Sequence, residues 1–180
     1  MDDHIKFNVI RPYTLEGERY HLLNDRISTA LGPHARLEIR PPSRLYATLL
    51  SRTMLNSVAR SSSQVKRFNF YDLRSILDKN LPTTKNTVIE ASVGKVCLMG
   101  GNGNHYIAAC LESPELDDEQ NALKNTLYRL AGLNFGQTYI PHISLAKFER
   151  NFNPQVLTDV AQIIGDSIEL KPVEFKRHKK

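Results

Sequence analysis

No apolar run in this 180-residue chain approaches the roughly 20 residues that a membrane-spanning helix needs. The opening "MDDHIKFNVI" is acidic and lacks the apolar stretch of a secretory signal, so the chain reads as cytoplasmic. Cysteine is scarce as well. Cys97 and Cys110 are the two, each inside an apolar run, with no Cys-x-x-Cys pair and no histidine at metal-ligand spacing. They read as buried thiols in a reducing compartment. The one glycine cluster, "GGNG" at 100–103, has neither the spacing nor the following helix of a phosphate-cradling loop and reads as a hairpin turn. Neither a metal nor another cofactor is expected.

What remains is ordinary for a folded protein: 41% hydrophobic and 24% charged residues, enough chain for one domain spanning 1–180 with a real core. The net charge of +5 has local sources. "FKRHKK" closes the chain, with a basic tail at 176–180, and Arg60, Lys66 and Arg67 flank the serine-rich "RSSSQVKR". These charges are either a solvated surface or a landing surface for phosphate backbones.

Strand and helix patterns alternate. "IKFNVIRPY" is a strand, and residues 15–31 form a helix stopped by Gly32. "ARLEIRPPSRLYATLLS" is extended, 51–67 is a polar stretch containing a loop, and "FNFYDLRSILDKN" is helical. Two strand runs follow around the glycines. Next comes a helix opened by Ser113 and Pro114 and closed by Gly132, and a second opened by Asn153 and Pro154 and closed by Gly165. A final strand, "SIELKPVEFK", precedes the tail. The class is α+β or α/β, without an internal linker.

One strand is chemically unusual. In "YIPHISLAKF" (139–148), alternation places His142 and Ser144 on one face and Ile143 and Leu145 on the other. With 6 His, 12 Ser and 10 Thr in 180 residues, a His two places before a hydroxyl residue is expected about 0.7 times by chance and occurs once. The motif gains meaning from an echo: "SRLYATLL" repeats the order apolar, ring, apolar, hydroxyl, apolar, with Tyr46 and Thr48 sharing a face. Two such strands in a pseudo-symmetric pair can face each other across a groove and meet a phosphate from two sides.

On these segments the chain resembles the two-histidine phosphoesterases, in particular the bacterial and archaeal RNA 2',3'-cyclic phosphodiesterases historically called 2'-5' RNA ligases. The resemblance runs over nearly the whole length; the Pro-His-x-Ser-Leu-Ala portion is its most specific part, and the 96 residues between Tyr46 and His142 fit it. It departs at one position: the family's first motif is His-x-Thr or His-x-Ser, and here the ring is Tyr46. The resemblance implies an α+β fold of two pseudo-symmetric lobes, each a small antiparallel sheet with helices outside, around a central groove. It also implies RNA or a nucleotide with a cyclic phosphate as partner.

Opening such a ring takes a base for water, an acid for the leaving oxygen and donors for the phosphoryl oxygens. Two imidazoles, titrating near 6.5, can divide the first two tasks. With a single histidine, His142 is expected as base, with Thr48 and Ser144 holding oxygens and Tyr46, whose phenol is protonated at neutral pH, as acid. Two other accounts stay open. The groove could bind RNA or nucleotides without catalysis, Tyr46 stacking on a base, or Tyr46 could be half-buried packing.

Overall fold

The structure is a computed structural model, and it describes residues 5–32, 37–61, 69–101, 104–132, 140–149 and 153–177. In chain order the elements are β1 (Phe7–Pro12), α1 (Gly17–Leu31), β2 (Leu37–Ile39), β3 (Tyr46–Leu50), α2 (Arg52–Ser61) and α3 (Phe70–Asn80). They continue as β4 (Ile89–Gly101), β5 (Asn104–Glu112), α4 (Pro114–Ala131), β6 (His142–Phe148), α5 (Gln155–Ile164), β7 (Ser167–Leu170) and β8 (Glu174–Arg177). This is an α+β fold. Among the described residues no helix is long and apolar enough to cross a membrane.

The strands form one antiparallel sheet in the order β7-β4-β5-β6-β3-β1-β8, with β2 also pairing with β6. The two small sheets expected from the sequence are the flanks of this larger one. They join where β3 meets β6 through the pair Ala47–Ile143, and β2 continues along the same edge of β6. Tyr13, just past β1, bridges Leu170 of β7, so the sheet curls until its distant flanks touch.

Helices cover one face. There α1 packs along α5 and α5 on β4, while α2 and α3 pack on α4 and α4 on β3. Between helices and sheet lies a single apolar core that includes Phe7, Leu23, Ile27, Leu49, Leu77, Leu127, Leu145 and Val160. Tyr46, Thr48, His142 and Ser144 stand on the other sheet face and line the groove.

A buried ion pair fixes β1 within this core. Arg11 and Glu119 are each fully buried. Arg11 Nε donates to Glu119 Oε2 at 2.7 Å and Nη2 to Oε1 at 2.5 Å; its remaining N–H groups reach the carbonyls of Thr84, Thr87 and Lys171 at 2.8–2.9 Å. All five guanidinium donors are thereby used, the condition under which burying such a charge is tolerable.

Three local expectations need correction. Within the polar stretch, Arg52–Ser61 form a helix that was not expected, and 62–67 lie outside the described residues: Ser51 Oγ accepts from Met54 N, Leu55, Val58 and Ala59 are buried, and the Asn56 amide pairs with both backbone groups of Ile5. The last strand run is two strands, separated at Lys171, Pro172 and Val173; proline has no N–H for a ladder, and here the backbone turns so that Lys171 N reaches Pro12 O. At the start of α4 the Ser113 side chain does not cap the helix but donates to Glu115. The helix stops are as read. Gly132, at φ 68° and ψ 14°, closes α4 in the left-handed conformation that glycine adopts without penalty. The hairpin turn read at "GGNG" falls on residues 102–103, outside the described residues, between the paired Gly101 and Asn104.

Candidate active site

The two motif strands share more than residue order. In β3, Thr48 pairs with Ile10 and Leu50 with Val9, leaving Leu49 as an extra residue. In β6, Ser144 pairs with Ala108 and Ala146 with Ile107, leaving Leu145 extra. Each strand therefore has a bulge immediately after its hydroxyl residue. The burial patterns agree: ring and hydroxyl are half-exposed, the residue between them is buried, and two buried residues follow. A bulge bends and twists a strand and re-aims its side chains. Here it sends both apolar residues after the motif into the core and leaves the ring and hydroxyl ahead of it on the open face.

Antiparallel register about Ala47–Ile143 brings Thr48 beside His142 and Tyr46 beside Ser144. All four line one groove of about 630 Å³, together with Arg40, Ser43, Arg44, Lys176 and Arg177. Ile143 and Leu145 are buried beneath, 1% and 0% exposed, as strand alternation required.

His142 is held in a defined tautomer. Its Nδ1 lies 3.0 Å from the carbonyl of Ile140, and a carbonyl only accepts, so Nδ1 carries the proton. In the neutral ring, Nε2 then keeps the lone pair. Cys110 pairs in register with His142 and so shares its sheet face, and the Cys110 and Cys97 sulfurs are 3.0 Å apart. Burial, followed by the hydrogen bond to Cys97, pushes the Cys110 thiol up to about 11. Cys110 therefore keeps its proton at neutral pH and is not a nucleophile there.

The groove is strongly cationic. Glu38 pairs with Arg40 at 2.8 Å and Arg44 at 3.7 Å on the rim, and no carboxylate is among the described lining residues. Lys176 Nζ donates to Ser43 O at 2.7 Å and lies 4.7 Å from the centroid of the Tyr46 ring. One imidazole, three aliphatic hydroxyls, a phenol and four cations suit a phosphate anion better than a metal ion.

Of the residues singled out in the sequence, His142, Ser144, Thr48 and Tyr46 come together. Arg60, at the end of α2, is exposed and is not among the groove residues; Lys66 and Arg67 lie outside the described residues. Lys176 and Arg177, from the basic tail, do reach the groove. Sequence reasoning missed Arg40, Ser43 and Arg44. Their signal was present in "RPPSRLY", where prolines force an extended approach and a tight turn at Pro42–Arg44 just ahead of the first motif. Of the other histidines, His105 packs against the Phe148 ring away from the groove, and His34 lies outside the described residues.

Solved structures share this fold at low sequence identity. A conserved protein of unknown function from Agrobacterium tumefaciens strain C58 matches with a TM-score of 0.55 and 15% identity over 96% of this chain and 84% of that one. A phosphoesterase matches at 0.53 and 10% identity, covering 97% and 96% of the two chains. Usb1 of Kluyveromyces marxianus matches at 0.51 and 8%, covering 96% and 97%. The chain thus shares its fold with these solved structures, one of which is described as a phosphoesterase. No family model matches the sequence, and no curated protein matches it.

Proposed function

We propose that this groove hydrolyses a cyclic phosphodiester at an RNA end or on a nucleotide, without a metal ion. The observation that carries the reading is the convergence of two bulged strands, each presenting a ring and a hydroxyl, on one basic groove. In this scheme His142 Nε2 takes a proton from water as the water oxygen bonds to phosphorus. The hydroxyls of Thr48 and Ser144 donate to the non-bridging oxygens, whose charge grows in the transition state. The ring P–O bond breaks, the departing ribose oxygen is protonated by solvent water on the side of the groove where Tyr46 and Lys176 stand, and His142 returns its proton to the hydroxide so formed. The base and the phosphoryl donors come from adjacent strands, so no large closure is needed to assemble them.

Tyr46 favours a second reading, non-catalytic binding of RNA or nucleotide, because a phenol does not serve as a base near neutral pH. The two readings separate on one experiment: incubation of the protein with an oligonucleotide ending in a 2',3'-cyclic phosphate, in EDTA, with the products resolved. Hydrolysis that disappears in His142→Ala supports the enzyme. Binding without hydrolysis supports the module.

A further inference from the structure

The sequence departs from the two-histidine pattern at Tyr46, and the structure puts a cation at that place. Lys176 comes from β8, an edge strand of the sheet, and is brought over the Tyr46 ring by two contacts: its hydrogen bond to Ser43 O and the ring face itself, 4.7 Å away. A lysine on an edge strand ordinarily extends into water, where its charge is best hydrated. Here the ammonium is directed into the groove that holds His142, Thr48 and Ser144, and part of its hydration is already replaced by a carbonyl and a π-face. An ammonium has three N–H groups, so donation to Ser43 leaves capacity for a phosphoryl oxygen.

We propose that Lys176 is the residue that supplies, where a second imidazole would otherwise stand, the positive charge that binds the substrate's phosphoryl group, and that Tyr46 is the positioning residue that holds it there. This rests on the phosphate reading of the groove. It reassigns the phenol. Tyr46 acts through its ring face, and its hydroxyl is dispensable as an acid. During ring opening, Lys176 interacts with the negative charge that builds on the phosphoryl and leaving oxygens, a role that grows towards the transition state.

The test uses Lys176→Gln, Lys176→Arg, Tyr46→Phe and Tyr46→Leu in the full chain, each checked for an unchanged melting profile. Two quantities are read: hydrolysis of an oligonucleotide 2',3'-cyclic phosphate, and calorimetric affinity for adenosine 2',3'-cyclic phosphate. Lys176→Gln is expected to lower kcat/KM by roughly 10²-fold, the scale of removing one preorganised charge-stabilising donor. Lys176→Arg retains the charge and the ring contact and recovers most of that loss. Tyr46→Phe keeps the face and costs less than about threefold, whereas Tyr46→Leu removes the face and falls towards Lys176→Gln.

A Tyr46→Phe variant as inactive as His142→Ala would show that the phenol is the acid and overturn the proposal. So would a Lys176→Gln variant with rate and affinity unchanged. If wild type hydrolyses nothing, the catalytic reading fails by itself, and affinity decides the role of Lys176. A loss of at least about tenfold in Lys176→Gln, restored by arginine, supports the charge site, and equal affinities refute it.

Discussion

Glu119→Ala is the substitution whose cost follows most directly from the structure. It removes two of the five hydrogen bonds made by Arg11 and the only carboxylate that pairs with this buried guanidinium among the described residues. It also leaves the Thr84 hydroxyl, now 2.9 Å from Glu119 Oε1, without that acceptor. Breaking a buried pair by deleting one partner costs about 3–5 kcal/mol, because the surviving charge stays desolvated. Total stability of a domain is about 5–15 kcal/mol, so this is a large share. With a urea slope of about 2 kcal/mol/M, the unfolding midpoint should fall by roughly 1.5–2.5 M. Glu119→Gln should be nearly as harmful, since one of the two carboxylate oxygens becomes an amide donor facing guanidinium N–H groups. The double variant Arg11→Met/Glu119→Leu should cost less than the sum of its single changes, with a coupling above about 1 kcal/mol, because no unpaired charge remains. A midpoint shift below about 0.5 M for Glu119→Ala, with unchanged slope, would refute this account.

Three further outcomes are expected. Thr48→Ala and Ser144→Ala should each lower kcat/KM by roughly 10²-fold with unfolding midpoints nearly unchanged, since each hydroxyl is half-exposed and its neighbours supply the packing; a loss confined to stability would remove them from the site. Binding of single-stranded RNA should weaken with salt with a log–log slope of about −3 if Arg40, Arg44, Lys176 and Arg177 each meet a phosphate, and a further reduction of about 0.7 in Arg60→Gln would extend the footprint to α2. Cys110, raised from 9.0 to about 11, should resist iodoacetamide at pH 8, where about one molecule in a thousand carries its thiolate, and react readily only near pH 11. The folded state there holds a proton that the unfolded chain releases above 9.0, so this thiol's contribution to stability is complete below pH 9 and fades as the pH rises towards 11. Alkylation of Cys110 at pH 8 as fast as that of a free thiol would contradict its burial.

The site was more legible in the sequence than the framework around it. Period-two alternation fixes which residues share a face, so His142 with Ser144 and Tyr46 with Thr48 could be read without knowing the sheet order. The bulges were not readable as bulges, yet they left a trace: two apolar residues after each hydroxyl, Leu49-Leu50 and Leu145-Ala146, where strict alternation would give one. Helix α2 was hidden because its polar residues outnumber the short stripe of Leu55, Val58 and Ala59, and its start is secured by Asn8 and Ser51, a contact from another strand and a local cap. Glu119 looked like one of several acids near the start of α4. Its burial depends on Arg11, 108 residues earlier, and no local pattern reports a pairing at that distance. Lys176 over Tyr46 is of the same kind: the tail's charge was visible in the sequence, and its direction depended on β8 pairing with β1.

The central claim is that this groove opens a cyclic phosphate with His142 as base. Its most direct measurement is the rate of conversion of an oligonucleotide 2',3'-cyclic phosphate to its monophosphate in EDTA, wild type against His142→Ala. The account predicts measurable turnover for wild type and a loss of about 10²–10⁴-fold in the variant, the span of a general base, with the melting profile unchanged. Equal rates in the two proteins, or no conversion by a wild-type protein that binds the oligonucleotide, would contradict it.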